Sequence, residues 1–394
     1  MKNQKRYCFA LLLVFVIQFT ACKQGKSKDI GAKEGDSSGA TPSVGIDSLS
    51  YNLARLIGGK EVDIAYQQHL DMTQVRSFNQ LTAGKVATIK ENRLQKMSEW
   101  NRTNMVNNNA NQSNFVFYPF SGGDLIHAHA LYPTAQEYLL VAQEDVGAIP
   151  NLFSREPAFV NEYLNDVDTV LRDIYAKSYF ITKNMIDDTK RKTLVNGMLP
   201  LILWAAVNSD YDVVRYSYLQ MVDSTSELVP VPANDNGTKP DAVEITLRAQ
   251  GANSIHKVTY VSCDISDDGF KRRASFMNYL QKKVPANCNA FVKSASYLMH
   301  YSTFSSIRNM LLTKAKYFVQ DDSGIPYKYF DSKQWDLSLY GEYERPVKDF
   351  DISLFQSDLL KAYADSSQFK GGVNFSLGYH WGSQKQNLMV AAKK

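Results

Sequence analysis

Phe115-Val116-Phe117-Tyr118-Pro119-Phe120-Ser121-Gly122-Gly123-Asp124 begins as an apolar run and closes in a glycine turn. Leu125 to Tyr132 then reads as a helix, and Pro133 stops it. A second apolar run, Tyr138-Leu139-Leu140-Val141-Ala142, ends at Gln143-Glu144-Asp145. Strand, turn, helix and strand within about thirty residues make a βαβ unit. Neither run alternates apolar with polar residues, which is the pattern of strands buried on both faces of a parallel sheet.

The same rhythm returns downstream. Val258 to Ser262 reads as a strand ending at Cys263-Asp264, and a helix spans about Gly269 to Lys283. Ala290 to Lys293 reads as a strand and Ser305 to Lys314 as a helix. Tyr317-Phe318-Val319 is a further strand, ending at Gln320-Asp321-Asp322. The tail offers an aromatic strand at Trp335 to Tyr340, a helix at Leu354 to Ala364 and a last strand at Val373 to Tyr379. Between the two α/β stretches, Ser154 to Asn208 is mostly helical. The β-rich runs Tyr211 to Val231 and Asp241 to Ala249 look like inserted antiparallel strands, joined by the turn-rich segment Pro232 to Gly237. Upstream, Ser48 to Asn104 is a helical extension, with Val86, Ile89, Leu94, Met97 and Trp100 at helical spacing. Asn107 to Asn114 is a polar loop. The expectation is one elaborated α/β domain over residues 48–394. It is a Rossmann-like, mostly parallel sheet with helices on both faces, an N-terminal helical extension and an antiparallel β insertion.

The first residues follow a different logic. Lys2, Lys5 and Arg6 precede an apolar run from Tyr7 to Phe19, too short to span a bilayer, which takes about 20 apolar residues. This is the shape of a signal peptide over residues 1–21. It ends in Phe19-Thr20-Ala21-Cys22, which resembles the lipobox of bacterial lipoproteins. The resemblance implies that the Cys22 thiol carries diacylglycerol and that several acyl chains hold the protein to a membrane. Residues 22–47 are rich in Lys, Gly, Ser, Asp and Glu and read as a flexible tether. The expected partner is thus a lipid bilayer, with a periplasm-facing domain favoured and the cell surface as the alternative. The formal net charge is +4, and removing Lys2, Lys5 and Arg6 with the leader lowers it to +1. No basic cluster survives, so nucleic acid is not an expected partner.

Four cysteines are present; Cys8 leaves with the leader and Cys22 is lipidated. In a parallel sheet, Cys263 closes one strand and Cys288 precedes the next, a strand length of roughly 15–20 Å apart. A disulfide needs Cα atoms within about 7 Å, so two free thiols are expected.

In open α/β sheets, ligands bind outside the carboxyl ends of the strands. The residues at that edge are Ser121, Gly122, Gly123 and Asp124, then Glu144, Asp264, Lys293, His300, Asp321 and Asp322. They form a candidate ligand rim of acids from four strand ends. Asp and Ser also cap helices and end strands for structural reasons, and Asp124 is placed to cap the helix after it. Glu144 lies about twenty residues beyond the glycine turn, where dinucleotide and S-adenosylmethionine folds place a ribose-binding acid. The full G-x-G-x-x-G pattern is missing, and such cofactors belong to the cytoplasm, so no cofactor is assigned. His127, three residues after Asp124, shares its helix face and offers an Asp–His pair. There is no G-x-S-x-G elbow, no H-E-x-x-H and no Cys–His cluster, and hence no assigned nucleophile or metal. Late aromatics, including Tyr340, Tyr343, Tyr379 and Trp381, belong either to the core or to a stacking surface.

Tyr118 to Asp124, Lys293-Ser294-Ala295-Ser296-Tyr297-Leu298-Met299-His300, Val319 to Pro326 and Gly378-Tyr379-His380-Trp381 together resemble an uncharacterised family of bacterial secreted or lipid-anchored proteins. The resemblance covers most of the chain from Phe115 onward and implies no activity. The order of elements is also similar to that of class I methyltransferases, with its tail of added strands. The functional expectation is a membrane-anchored lipoprotein whose Rossmann-like domain binds an unknown small molecule or an envelope protein. The alternatives are a hydrolase or transferase using the acidic rim, with or without a metal, and a structural lipoprotein of the cell envelope.

Overall fold

The computed structural model describes residues 45–105, 113–232, 239–382 and 385–394. The expected leader, the expected lipidation site Cys22 and nearly all of the expected tether lie outside them, as do most of the expected loop Asn107 to Asn114 and of the turn-rich segment Pro232 to Gly237. Among the described residues eleven strands form one sheet: β1 (Phe115–Pro119), β2 (Glu137–Ala142), β3 (Tyr211–Val222), β4 (Glu227–Val231), β5 (Ala242–Ala249), β6 (Ile255–Ser262), β7 (Cys288–Val292), β8 (Ala315–Gln320), β9 (Trp335–Gly341), β10 (Phe369–Gly371) and β11 (Asn387–Lys393). Their order is β10-β9-β11-β8-β7-β1-β2-β6-β5-β3-β4.

The five central strands, β8-β7-β1-β2-β6, are all parallel to their neighbours. Continuous apolar sequence explains why they take the middle. Every residue of β1 and β7 is buried, and alternate side chains feed two separate cores. Val116, Tyr118, Tyr138 and Leu140 face one core, while Phe115, Phe117, Leu139 and Val141 face the other. Helices Ser48–Ile57, Leu125–Leu131 and Leu199–Asn208 cover the first face; Ala274–Lys283 and Ser305–Lys314 cover the second. The fold is therefore mixed α/β with helices on both faces.

The inserted strands add to one edge: β5 is antiparallel to β6, and β3 is antiparallel to both β5 and β4. At the other side the last strand departs from expectation. Val373 to Tyr379 forms no strand; β11 lies further on and runs antiparallel between β8 and β9. The alternation Val373-Asn374-Phe375-Ser376-Leu377 imitates a half-buried strand, and Phe375 and Leu377 are indeed buried. Its backbone is committed elsewhere, since Leu377 N–H donates to the Gln386 side chain at 2.8 Å. Gly378 then turns the chain at φ +65°.

Cys263 and Cys288 are both free and buried. Residues 44–394 hold together as one unit. The helix Leu199–Asn208, Met198 at its N-cap, is buried along its whole length. No helix among the described residues is long and apolar enough to cross a membrane.

Candidate functional site

Strand order reverses between β1 and β7, because β2 and β6 lie on one side of β1 while β7 and β8 lie on the other. Loops leaving the strands diverge at such a point and open a crevice. A cavity of about 540 Å³ sits there. Ser121, Gly122 and Asp124 come from the loop after β1, Glu144 from the end of β2, Cys263 and Ile265 from the end of β6, and Lys293 from the end of β7. Tyr179, Phe180, Phe350, Tyr379 and Trp381 add aromatic walls. A second hollow of about 470 Å³ lies at the opposite ends of the strands, among Asn114, Glu137 and Asn287. Its Glu137 is paired with Lys283, and it lacks the buried charges described next.

The turn Ser121–Asp124 folds as a helix start. Asp124 caps the helix Leu125–Leu131, accepting the His127 N–H. The same carboxylate, 2 % exposed, gathers three further groups. His127 Nδ1 lies 2.6 Å from Oδ1, while Lys293 Nζ at 2.7 Å and the Tyr118 hydroxyl at 2.9 Å reach Oδ2. Burial pushes the Asp124 carboxyl up, but His127 and Lys293 outweigh it and hold it down to about 2. His127 lies within ion-pair distance of Asp124, yet burial drives its own value down to about 4, so the imidazole is neutral. Hydrogen bonding agrees. Arg93 Nη1 lies 3.3 Å from His127 Nε2, and a guanidinium can only donate, so Nε2 carries the lone pair and Nδ1–H donates to Asp124.

Arg93 arrives from far upstream. It sits in a π-helical turn, Lys90–Leu94, between the helices Met72–Ile89 and Gln95–Asn104. Such a turn adds a residue to the helical repeat and redirects side chains, a device common at functional sites. Arg93 is anchored on the Ile174 carbonyl at 2.9 Å and the Ser376 hydroxyl at 3.1 Å. Burial lowers it to about 10 even with Asp124 opposing, so it stays charged at neutral pH.

A second polar cluster lies behind the loop after β7. Asp321 accepts the Ser294 N–H at 2.9 Å and the Ser323 N–H at 3.0 Å. Ser323 Oγ in turn accepts the Ala295 N–H at 2.8 Å. Asp322 accepts the Tyr297 hydroxyl at 2.6 Å and the Asn387 amide at 3.0 Å, and lies 3.3 Å from His380 Nε2. Burial and then the neighbouring Asp322 raise the Asp321 carboxyl to about 6. Burial opposes the His380 cation, but the hydrogen bond to Asp322 prevails and raises it. The segments Lys293 to His300, Val319 to Pro326 and Gly378 to Trp381 thus meet in space. The second and third brace the first, and the Tyr379 hydroxyl donates to the Ser294 carbonyl at 2.9 Å.

The loops around the cavity are held in unusual backbone conformations. Eight non-glycine residues have positive φ among those described, and Phe120, Ser178, Ser294, Ser296 and Tyr297 belong to this region. Each costs about 1–3 kcal/mol, and such strain concentrates at functional sites.

The structure brings Ser121, Gly122, Asp124, Glu144 and Lys293 together on the cavity, and it disperses the other expected rim residues. Gly123 faces the helix Leu199–Asn208, where a Cβ would lie 3.1 Å from Leu201. Asp264 pairs with Arg272 at 2.6 Å, and only its neighbours reach the wall. His300 Nε2 donates to the Asp322 carbonyl at 3.2 Å, and Asp321 and Asp322 serve the loop behind. The single acidic rim does not form, because strand ends fix backbone positions while side chains turn toward the nearest donors. Among the described residues no group of three His, Cys, Asp or Glu could hold a metal ion. The Cys263 thiol, pushed up to about 12 by burial, faces the cavity uncharged.

No family model matches the chain, and neither curated proteins nor solved structures give a match.

Proposed function

We propose that this chain is a bacterial lipoprotein, anchored through acylated Cys22 and facing the periplasm, whose Rossmann-like domain binds a small organic molecule. The observation that carries the binding reading is the cavity at the strand-order switch. A buried ion pair, Asp124–Lys293, forms part of it, and aromatic side chains wall it. Its volume of about 540 Å³ falls within the roughly 300–1,000 Å³ of small-molecule sites. The strained loops around it support the same reading.

Mass spectrometry of the molecules released on denaturing the mature protein tests it. Ala142 lines the cavity at the end of β2, so Ala142→Phe fills part of it. A small molecule released from the natural protein and absent from the variant is expected. Identical extracts would sink the proposal. The anchor has its own test: radiolabelled palmitate incorporation is expected to disappear in Cys22→Ser.

One observation favours a second reading, a transferase. The run β6-β2-β1-β7-β8-β11-β9, with antiparallel β11 inserted next to last, is the strand order of class I methyltransferases. Glu144, on the cavity wall at the end of the second strand, fits the ribose-binding acid of that class. Export argues against it, because S-adenosylmethionine is cytoplasmic. Calorimetric titration with S-adenosylmethionine decides: saturable heat abolished by Glu144→Ala supports the transferase, and absence of heat removes it.

A further inference from the structure

We infer that the molecule bound in this cavity is an organic carboxylate, held by Lys293 through the one ammonium N–H left without an acceptor among the described residues. The inference rests on the binding reading above and adds the ligand's chemical class.

An ammonium has three N–H donors. Two of Lys293's are taken, by Asp124 Oδ2 at 2.7 Å and by the Ser178 carbonyl. The third meets no acceptor among the described residues, although Lys293 is 1 % exposed and forms part of the cavity wall. Asp124 cannot serve it further: His127 occupies Oδ1, and Tyr118 shares Oδ2 with Lys293. Asp321 is committed to Ser294 and Ser323. An unmet N–H on a buried cation is costly, and an oxygen from the ligand satisfies it.

The lysine is also held rigidly. Ser178 takes φ +77°, an αL conformation rare for serine, with its carbonyl bonded to the ammonium. Arg93 fixes the tautomer of His127, His127 fixes Asp124, and Asp124 fixes Lys293. Arg93, His127 and Asp124 are positioning residues on this reading; Lys293 touches the ligand. A chain of hydrogen bonds that orients one buried donor is the construction used to preset a recognition group.

The remaining wall selects among anions. Glu144 and Asp349 also line the cavity. They oppose a dianionic phosphoryl group more than a singly charged carboxylate. They also accept hydrogen bonds from hydroxyl or ammonium groups elsewhere on the ligand. Phe180 and Phe350 offer apolar surface to its body.

Calorimetric titration of the mature protein with benzoate, benzamide, benzylamine and phenyl phosphate tests the assignment without any variant. Benzoate is expected to bind at least tenfold more tightly than the other three. Tighter binding of phenyl phosphate overturns the choice of carboxylate in favour of a phosphoryl group. Binding of benzylamine or benzamide in preference to benzoate overturns the anion assignment while leaving the cavity as a ligand site. No heat from any probe overturns the inference, while the released-molecule experiment still judges the binding reading separately. Unchanged benzoate binding in Ala142→Phe moves the site away from the cavity and takes both readings with it. The variant Lys293→Met/Asp124→Asn removes both charges of the pair together. It is expected to unfold cooperatively in urea and to bind benzoate about tenfold to a hundredfold more weakly. Undiminished binding by the folded double variant overturns the role of Lys293.

Discussion

Asp124 and Asp321 are sealed inside the protein and attached to the same stretch of chain, one through Lys293 and the other through Ser294. One is held down to about 2 and the other raised to about 6. Burial raises both. Asp124 has the basic groups Lys293 and Arg93, from two distant elements, around it and its histidine; burial lowers the lysine's own value and Asp124 opposes that. Asp321 has neutral backbone and hydroxyl donors, a second carboxylate next door and His380 nearby, while Lys293, also within reach, is bonded to Asp124 instead. The first arrangement holds a charge ready beside a cavity. The second braces a loop, and the charge of its aspartate is a burden rather than a tool.

The sharpest way to break this contrast is to strand the first carboxylate. Lys293→Met leaves Asp124 buried beside a neutral histidine and is expected to cost about 3–5 kcal/mol in urea unfolding at pH 7. Asp321→Asn exchanges one accepted hydrogen bond for a repulsive contact and should cost about 1–3 kcal/mol. Equal losses would dissolve the distinction. Between those two in size is Gly378→Ala. Its Cβ would come 2.1 Å from Asp321 Oδ2, at a φ of +65°. A loss of roughly 2–4 kcal/mol is expected. A double-mutant cycle with Asp321→Ser should recover part of it; strict additivity would show that Asp321 is not packed against Gly378 as described.

The two carboxyls also respond to pH in opposite senses. The folded value of Asp124 lies below the ordinary 3.8, so its stabilisation is full above about pH 4 and is lost as pH falls toward 2. The folded value of Asp321 lies above 3.8. Between about pH 4 and 6 the unfolded chain has released this proton while the folded protein keeps it, so the contribution of Asp321 to stability falls as pH rises through that window. His127, His129 and His300, each held down to about 4, push stability up over the same window, so Asp321→Asn is expected to steepen the rise from about pH 4 to 6 relative to the natural protein while the acid-side loss persists. A curve of unchanged shape would place the titration on another group. The smallest effect belongs to Tyr297→Phe. It removes the bond to Asp322 and the acceptor for the Val347 N–H at 3.1 Å. About 1 kcal/mol is expected, with faster hydrogen exchange at Val347. Unchanged exchange there would mean that the second cluster does not hold the segment bearing Asp349 and Phe350 in place.

The same two clusters mark how far sequence alone could reach. Phe115 to Ala142 declared its parallel pairing because a strand buried on both faces has no polar alternation, and the Asp124–His127 pair followed from a three-residue helical step. Arg93 gave no signal, since a π-helical turn has no spacing of its own and its partner lies 34 residues away. The strand-end acids were found in the right places along the backbone. Their directions depended on donors supplied by distant segments, such as Ser294 for Asp321 and Asn387 for Asp322. Tyr379 and Trp381 could not be divided from the core aromatics Tyr340 and Tyr343 by composition; only the reach of the tail over the β7 loop does that.

The position of β11 has a consequence for the order of events during folding. Strands β8 and β9 do not pair with each other; both pair with residues 387–393, so until that segment arrives each presents an open hydrogen-bonding edge. Contacts this distant along the chain form late, because loop closure must come first. That delay separates the assembly of the central parallel strands β6, β2, β1, β7 and β8 from the docking of β9 and β10 beside them.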